Sequence, residues 1–270
     1  VYPPDIDAEL DFPAAVAGAF ANLFADCAAD PGCRRIAPDA QAHLEAMVEE
    51  LNQAPRELEL YDHEFFGRGE MVRFDGTFVL SSMVDMLYDA YWLTYIPLVV
   101  GKADRGERDA LSYFYWSTTF ASQGMAEGAF VNIECREAAT LDTVLAGDAA
   151  RAFGVYGEAA LAWSMVPYCA AWPVARDPLA AAGPVVSDIP SLLMSGRYDP
   201  VTPAGFADHA AQSLADSAHL VFRSGGHAVT FWFDCARDAA AAFIENPDTG
   251  AVGEPRCRDF SKPADFAKRF

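Results

Sequence analysis

The chain has 270 residues, 52% of them apolar, and a formal charge of -20 from 19 basic and 39 acidic side chains. That is enough apolar material for a sizeable core in one large or two modest domains, and it excludes a disordered chain. The acidity argues against nucleic acid or an anionic membrane surface as the main partner, since both repel such a chain.

The opening residues, Val1-Tyr2-Pro3-Pro4-Asp5, hold neither an initiator Met nor a basic and apolar leader, so the start of the gene product is expected upstream. From Asp11 to about Leu51 apolar residues (Phe12, Val16, Phe20, Leu23, Phe24) recur at three- and four-residue steps, which predicts helix. Asp30-Pro31-Gly32 breaks that run, and Pro38 fits the opening of a further helix carrying Leu44, Met47, Val48 and Leu51 on one side. The stretch Glu57–Phe78 reads as irregular, punctuated by Gly67, Gly69 and Gly76. Helical spacing returns over Thr77–Tyr95 and continues over Ala110–Gln123. No apolar run approaches the ~20 residues of a spanning helix; the longest, Tyr91–Val100, stops at Gly101-Lys102. The first part of the chain therefore reads as mainly helical, with no strands to build a parallel sheet.

Past Pro184 the pattern changes, and Ala175–Pro184 is the best candidate for a junction. Ile189–Met194 is a short apolar run ending in Ser195-Gly196, and Gly205–Leu214 is helical. His219–Phe222 is a second apolar run, ending in Ser224-Gly225-Gly226, and Phe231–Ile244 is helical again. Strand, loop, helix repeated twice is the pattern of parallel α/β architecture. Two strands do not make a doubly covered sheet, so the others are expected from outside this chain.

The six cysteines form an even set. Cys27 and Cys33 flank the Asp-Pro-Gly turn, and Cys235 and Cys257 flank a helix and loop, so both spacings suit local disulfides; Cys135 and Cys169 are then left for each other. Disulfides imply an oxidising compartment, the periplasm or the outside of the cell. No pair has zinc-site spacing, and the sequence points to no metal or organic cofactor.

Functional groups in an open α/β sheet gather beyond the carboxyl ends of its strands. Two loops fall there: Ser195-Gly196-Arg197-Tyr198-Asp199-Pro200-Val201-Thr202-Pro203, and Ser224-Gly225-Gly226-His227-Ala228-Val229. An Asp followed by a His, each just past a parallel strand, is the chain order of acid and base in α/β-hydrolases. There the histidine lifts a proton from a serine and later delivers it to the leaving group, while the carboxylate fixes the ring's tautomer. Asp199 and His227 are thus the candidate catalytic pair; His43, His63, His209 and His219 read as structural.

The run Ile189–Pro203, with Gly225-Gly226-His227-Ala228-Val229, resembles the final-domain signature of prolyl/tripeptidyl aminopeptidase-like α/β-hydrolases, the branch with a TAP-like C-terminal domain. Cys169-Ala170-Ala171-Trp172-Pro173 precedes it at a similar distance, Cys235 and Cys257 follow, and Val1–Asp5 resembles the segment leading into that family's helical cap. The resemblance implies an α/β fold: residues 1–10 following a core strand, a helical cap over 11–175, and the C-terminal strands and helices of the hydrolase core over 176–270. It implies a secreted or periplasmic serine hydrolase, an exopeptidase releasing short N-terminal peptides or amino acids, with cap carboxylates binding the substrate's amino terminus. Glu137, two residues after Cys135, matches the family's Cys-x-Glu feature best, with Glu134 the second candidate. Cap aromatics (Tyr88, Tyr91, Trp92, Tyr95, Tyr113, Tyr115, Trp116) are candidates for an apolar pocket, although aromatics at helical spacing usually pack inward.

The chain departs from the family in one respect. No Gly-x-Ser-x-Gly elbow occurs; Ser195 lies on the acid loop and Ser81-Ser82 in a helical run. The nucleophile is therefore expected in an N-terminal hydrolase portion or a companion chain, and the 270 residues alone are expected to be inactive. A carboxylesterase of the same fold and a non-catalytic fragment or binding partner are the alternatives.

Overall fold

The computed structural model describes residues 2–61, 69–107, 110, 112, 126–138, 142–177 and 183–269. Helix α1 (Ala8–Ala29) starts at Asp7, whose carboxylate accepts from the Glu9 amide, and ends at Asp30. Asp30 then caps α2 (Pro31–Ile36), with Pro31 in its first turn, where a missing N–H costs nothing. The predicted break at Asp30-Pro31 is thus a junction at which one residue ends one helix and opens the next. Helix α3 (Ala40–Gln53) buries Leu44, Val48 and Leu51.

The stretch read as irregular is in part a hairpin. Strands β1 (Arg56–Tyr61) and β2 (Gly69–Phe74) pair antiparallel, with Leu58 opposite Val72 and Arg56 opposite Phe74. Leu58, Leu60, Val72 and Phe74 pack on the core while Glu57, Glu59, Met71 and Arg73 point out. This period-two alternation is the strand signal, and the glycines around it masked it.

Helix α4 (Gly76–Tyr88) is capped by Asp75 and buries Val79, Leu80, Met83, Val84, Met86 and Leu87. A 3-10 turn (Trp92–Tyr95) leads into α5 (Ile96–Asp104), so the helix expected to run through Tyr95 ends at Tyr88. The helix expected over Ala110–Gln123 lies almost wholly outside the described residues, as do His63, Tyr113, Tyr115, Trp116 and part of the Ala175–Pro184 junction. Next come α6 (Glu127–Glu137), α7 (Thr143–Arg151), α8 (Gly154–Ala162) and α9 (Val166–Ala171).

The C-terminal region alternates as expected: β3 (Ser191–Gly196), α10 (Ala204–Ala211), β4 (Ser217–Phe222), the single turn α11 (Val229–Trp232), α12 (Asp234–Glu245) and α13 (Arg258–Ser261). Strands β3 and β4 are parallel, Ser191 opposite Ser217 through Gly196 opposite Phe222. The architecture is mixed α/β, mostly helical, with two small sheets.

One core unites α1, α3, α4, α5 and the hairpin, and it also takes in Tyr198 from the acid loop. A smaller cluster under β4 holds Leu220, Phe222, Val229 and Ala236. Three disulfides form: Cys27–Cys33 joins α1 to α2, Cys135–Cys169 joins α6 to α9, and Cys235–Cys257 ties α12 to the segment before α13. Contrary to the reading of the sequence, one helix is long and apolar enough to span a bilayer: α1 over Glu9–Ala29. Its apolar face, with Val16, Phe20 and Leu23 fully buried, packs into the core, as a central helix of a globular domain does.

Candidate active site

The acid loop leaves β3 at Gly196 and is fixed at once. The Arg197 amide donates to Phe222 O (3.0 Å) and the Tyr198 amide to Gly225 O (2.9 Å), so it is bonded to the end of β4 and to the histidine loop. A Cβ on Gly196 would lie 2.0 Å from Gly226 O, a separation that only glycine permits. Helix α1 holds the loop from the other side. Arg197 Nε donates to Asp26 Oδ2 (2.6 Å), the Tyr198 hydroxyl donates to the same oxygen (2.9 Å), and Asn22 Nδ2 donates to Arg197 O (3.1 Å).

Asp199 follows, 3% exposed. Its Oδ1 accepts from the amides of Val201 (2.9 Å) and Thr202 (2.8 Å), and its Oδ2 accepts from Thr202 Oγ1 (2.8 Å). His227 Nδ1 lies 3.0 Å from Oδ2 and 3.2 Å from Oδ1. Burial disfavours the charged carboxylate, but the bond from His227, its proximity and the two amides outweigh it and hold the Asp199 carboxyl below its ordinary value. Asp199 is therefore an anion at neutral pH, acceptor-only, and Nδ1 of His227 carries the proton between them.

The histidine loop is packed as tightly as the acid loop. A Cβ on Gly226 would come 1.9 Å from Leu87 O at the end of α4, and Ala228 adopts a left-handed φ of 57°. Trp232 Nε1 donates to His227 O (3.0 Å). A non-glycine residue held left-handed beside the Asp199–His227 hydrogen bond marks a site whose surroundings over-determine its shape. The His227 side chain is 33% exposed, and its Nε2 bonds to no described residue. With Nδ1 turned to the Asp199 carboxylate, Nε2 is the ring nitrogen that remains for a further partner.

Helix α4 brings Tyr88 to this pair, its ring centroid 4.9 Å from that of His227. Tyr91, Trp92 and Tyr95 instead pack on one another, with Tyr91 and Tyr95 joined hydroxyl to hydroxyl at 2.8 Å. Burial first, then Asp199, Asp85 and Glu134, push the Tyr88 hydroxyl up, so it stays a neutral phenol. Burial raises the Glu134 carboxyl, and Glu137 and Glu9 add to the rise. Asp85, one turn before Tyr88, is pushed up to about 7 by burial alone.

A second Ser–His–Asp chain lies beside the strands. Asp208 Oδ1 is 2.8 Å from His219 Nδ1, and His219 Nε2 is 2.9 Å from Ser195 Oγ. Ser195 is 3% exposed within β3, so no carbonyl group reaches its hydroxyl, and the chain clasps β3, β4 and α10 together. His209 bonds Asp5 Oδ2 (2.7 Å) and His43 pairs with Asp104 (3.5 Å), both structural contacts. Asp26, Asn22, Thr202 and Trp163 escaped the sequence reading. Thr202 stood inside the quoted motif but carried no signal of its bond to Asp199, and the others lie far away in the chain. Among the described residues no group of His, Cys, Asp and Glu could hold a metal ion.

Comparison with known proteins reaches the level of the class. Residues 154–256 match a family model described as TAP-like protein, which relates this part of the chain to the α/β-hydrolase superfamily and suggests a serine-hydrolase family. The match begins at the first residue of α8 and encloses both Asp199 and His227. No curated protein matches the chain.

Proposed function

We propose that this chain supplies the acid and base of a serine hydrolase, Asp199 orienting His227 and His227 serving a serine carried outside these 270 residues. The observation that carries the reading is the Asp199–His227 contact of 3.0 Å, with Nε2 open, at the ends of two adjacent parallel strands. In the reaction Nε2 takes the serine proton as the oxygen attacks a carbonyl carbon, and the imidazolium returns it to the leaving group. Asp199 keeps the reactive tautomer and stabilises the imidazolium. The serine and the oxyanion donors belong to an N-terminal hydrolase portion or a companion chain, so the chain alone is inactive.

The substrate is a peptide with a free amino terminus, held by cap carboxylates. Glu134 and Glu137, both on α6, are the candidate counter-charges for an ammonium group, and the part-burial that raises the Glu134 carboxyl favours it. The three disulfides are consistent with a secreted or periplasmic protein.

The test is a fluorophosphonate serine probe applied to the source preparation. Label on a polypeptide carrying a Gly-x-Ser-x-Gly elbow, lost when His227 is changed to Ala, is expected. Absence of label from every polypeptide would leave this chain a fragment without chemistry of its own. Cleavage of a simple acyl ester, with alanine and proline anilides untouched, would make the enzyme an esterase of the same fold.

A further inference from the structure

The hydrogen bond to Asp199 fixes His227 at Nδ1 only. An imidazole held at one edge still swings about that bond, and a third of this one faces solvent. The loop beneath it, Ser224-Gly225-Gly226, has little intrinsic stiffness. Both deficits are met from the end of α4: Leu87 O abuts Gly226 and fixes the backbone, and the next residue, Tyr88, lays its ring on the imidazole at 4.9 Å with a tilt of 54°. Trp163 stacks behind Tyr88 (6.1 Å, 16°), and Phe12 of α1 closes on Trp163 (6.5 Å). The row runs from the helix that grips the acid loop through Asp26 to the ring of His227.

We infer that Tyr88, backed by Trp163, is a positioning residue that keeps the His227 imidazole in register with the Asp199 carboxylate. This rests on reading His227 as the base. The ring limits rotation about the Nδ1 bond and shields that bond from water, and its face favours the imidazolium formed in the reaction. The ring does this, so the phenol oxygen is dispensable. Among the described residues the His227 ring meets Asp199 and Thr202 from the acid loop and Tyr88 from α4.

The test is proton NMR of the disulfide-intact chain, following the low-field Nδ1–H resonance of His227 and its exchange with water. Wild type is expected to show the resonance, Asp199→Asn to lose it, and Tyr88→Phe to keep it. Tyr88→Leu should exchange about two- to tenfold faster, which is what loss of one aromatic pair is worth, and Trp163→Leu should fall between. An unchanged rate in Tyr88→Leu overturns the role of Tyr88 and leaves the catalytic pair standing. A wild-type resonance that is missing, or that survives Asp199→Asn, overturns the pair itself. Should Tyr88→Leu not fold, wild type still decides: cross-relaxation between the Tyr88 ring protons and the carbon-bound protons of His227 is required, and its absence refutes the contact.

Discussion

Asp199 is buried and Asp85, one turn before Tyr88, is only part-buried, yet the deeper carboxyl is held low and the shallower one is pushed up. Asp199, on the acid loop, receives two backbone amides, one hydroxyl and an imidazole, and its carboxyl is held below the ordinary value. Asp85, on α4, has no bond or ion pair among the described residues, and burial pushes it up to about 7. Donors, rather than depth, decide whether a buried carboxyl keeps its charge. The acid loop directs its polar groups at one anion, while α4 leaves the Asp85 carboxyl without a donor among the described residues.

The largest effect should come from breaking the well-donated side. In the labelled holoenzyme, His227→Ala or Asp199→Asn should lower the rate of probe labelling on the order of 10⁴-fold with the fold unchanged, since such changes remove the base or its tautomer. A fall of less than tenfold for Asp199→Asn would break the comparison, because the donors around Asp199 would then serve only the loop.

Next in size is the junction between the regions. A Cβ at Gly226 meets the backbone of Leu87, so Gly226→Ala should destabilise the fold by about 1–3 kcal/mol, read as a fall in Tm. Gly253, where a Cβ meets nothing, is the control.

The poorly donated side has a signature in pH. Asp85 holds its proton up to about 7 in the folded protein and loses it near 4 when unfolded, so stability should fall as pH rises from about 4 to about 7 and level off above. Asp85→Asn should flatten that slope and raise stability near neutrality by roughly 2–4 kcal/mol. Asp199 has the opposite sign: its contribution is present above about pH 4 and lost as pH falls through its lowered value. Denaturant melts of both variants across pH 3–8 check the two signs, and parallel curves for Asp85→Asn and wild type would sink the account of Asp85.

The smallest effect separates two neighbours on α6. Glu134→Gln should raise KM for an amino-terminal peptide anilide about tenfold with kcat nearly unchanged, the mark of lost ground-state binding, and Glu137→Gln should do less. A larger effect of Glu137→Gln would return Glu137 to its place as the better candidate.

The legible parts of this protein were local. The order of strand, loop and helix after Pro184 follows from short apolar runs and glycine bends, and Asp30-Pro31 is a helix boundary readable from two residues. The hairpin was missed because alternation over Arg56–Tyr61 competed with a nearby series of glycines. Asp199 and His227 were found because each stands beside its own strand end, and their spacing along the chain is short. Asp26 and Asn22 were out of reach: each bonds a loop more than 170 residues away, and no periodicity encodes such a pairing.

By itself the sequence determined the helical first part, the parallel strand pair, suitable cysteine spacings and the chemistry available to two loops, because these depend on neighbours along the chain. Only the tertiary structure decided which carboxyl keeps its charge, that α1 buries one apolar face in the core, and that Tyr88, one of several aromatics at helical spacing, meets His227. Those outcomes depend on what distant residues bring within a few ångströms, through burial and hydrogen bonding that local patterning does not specify.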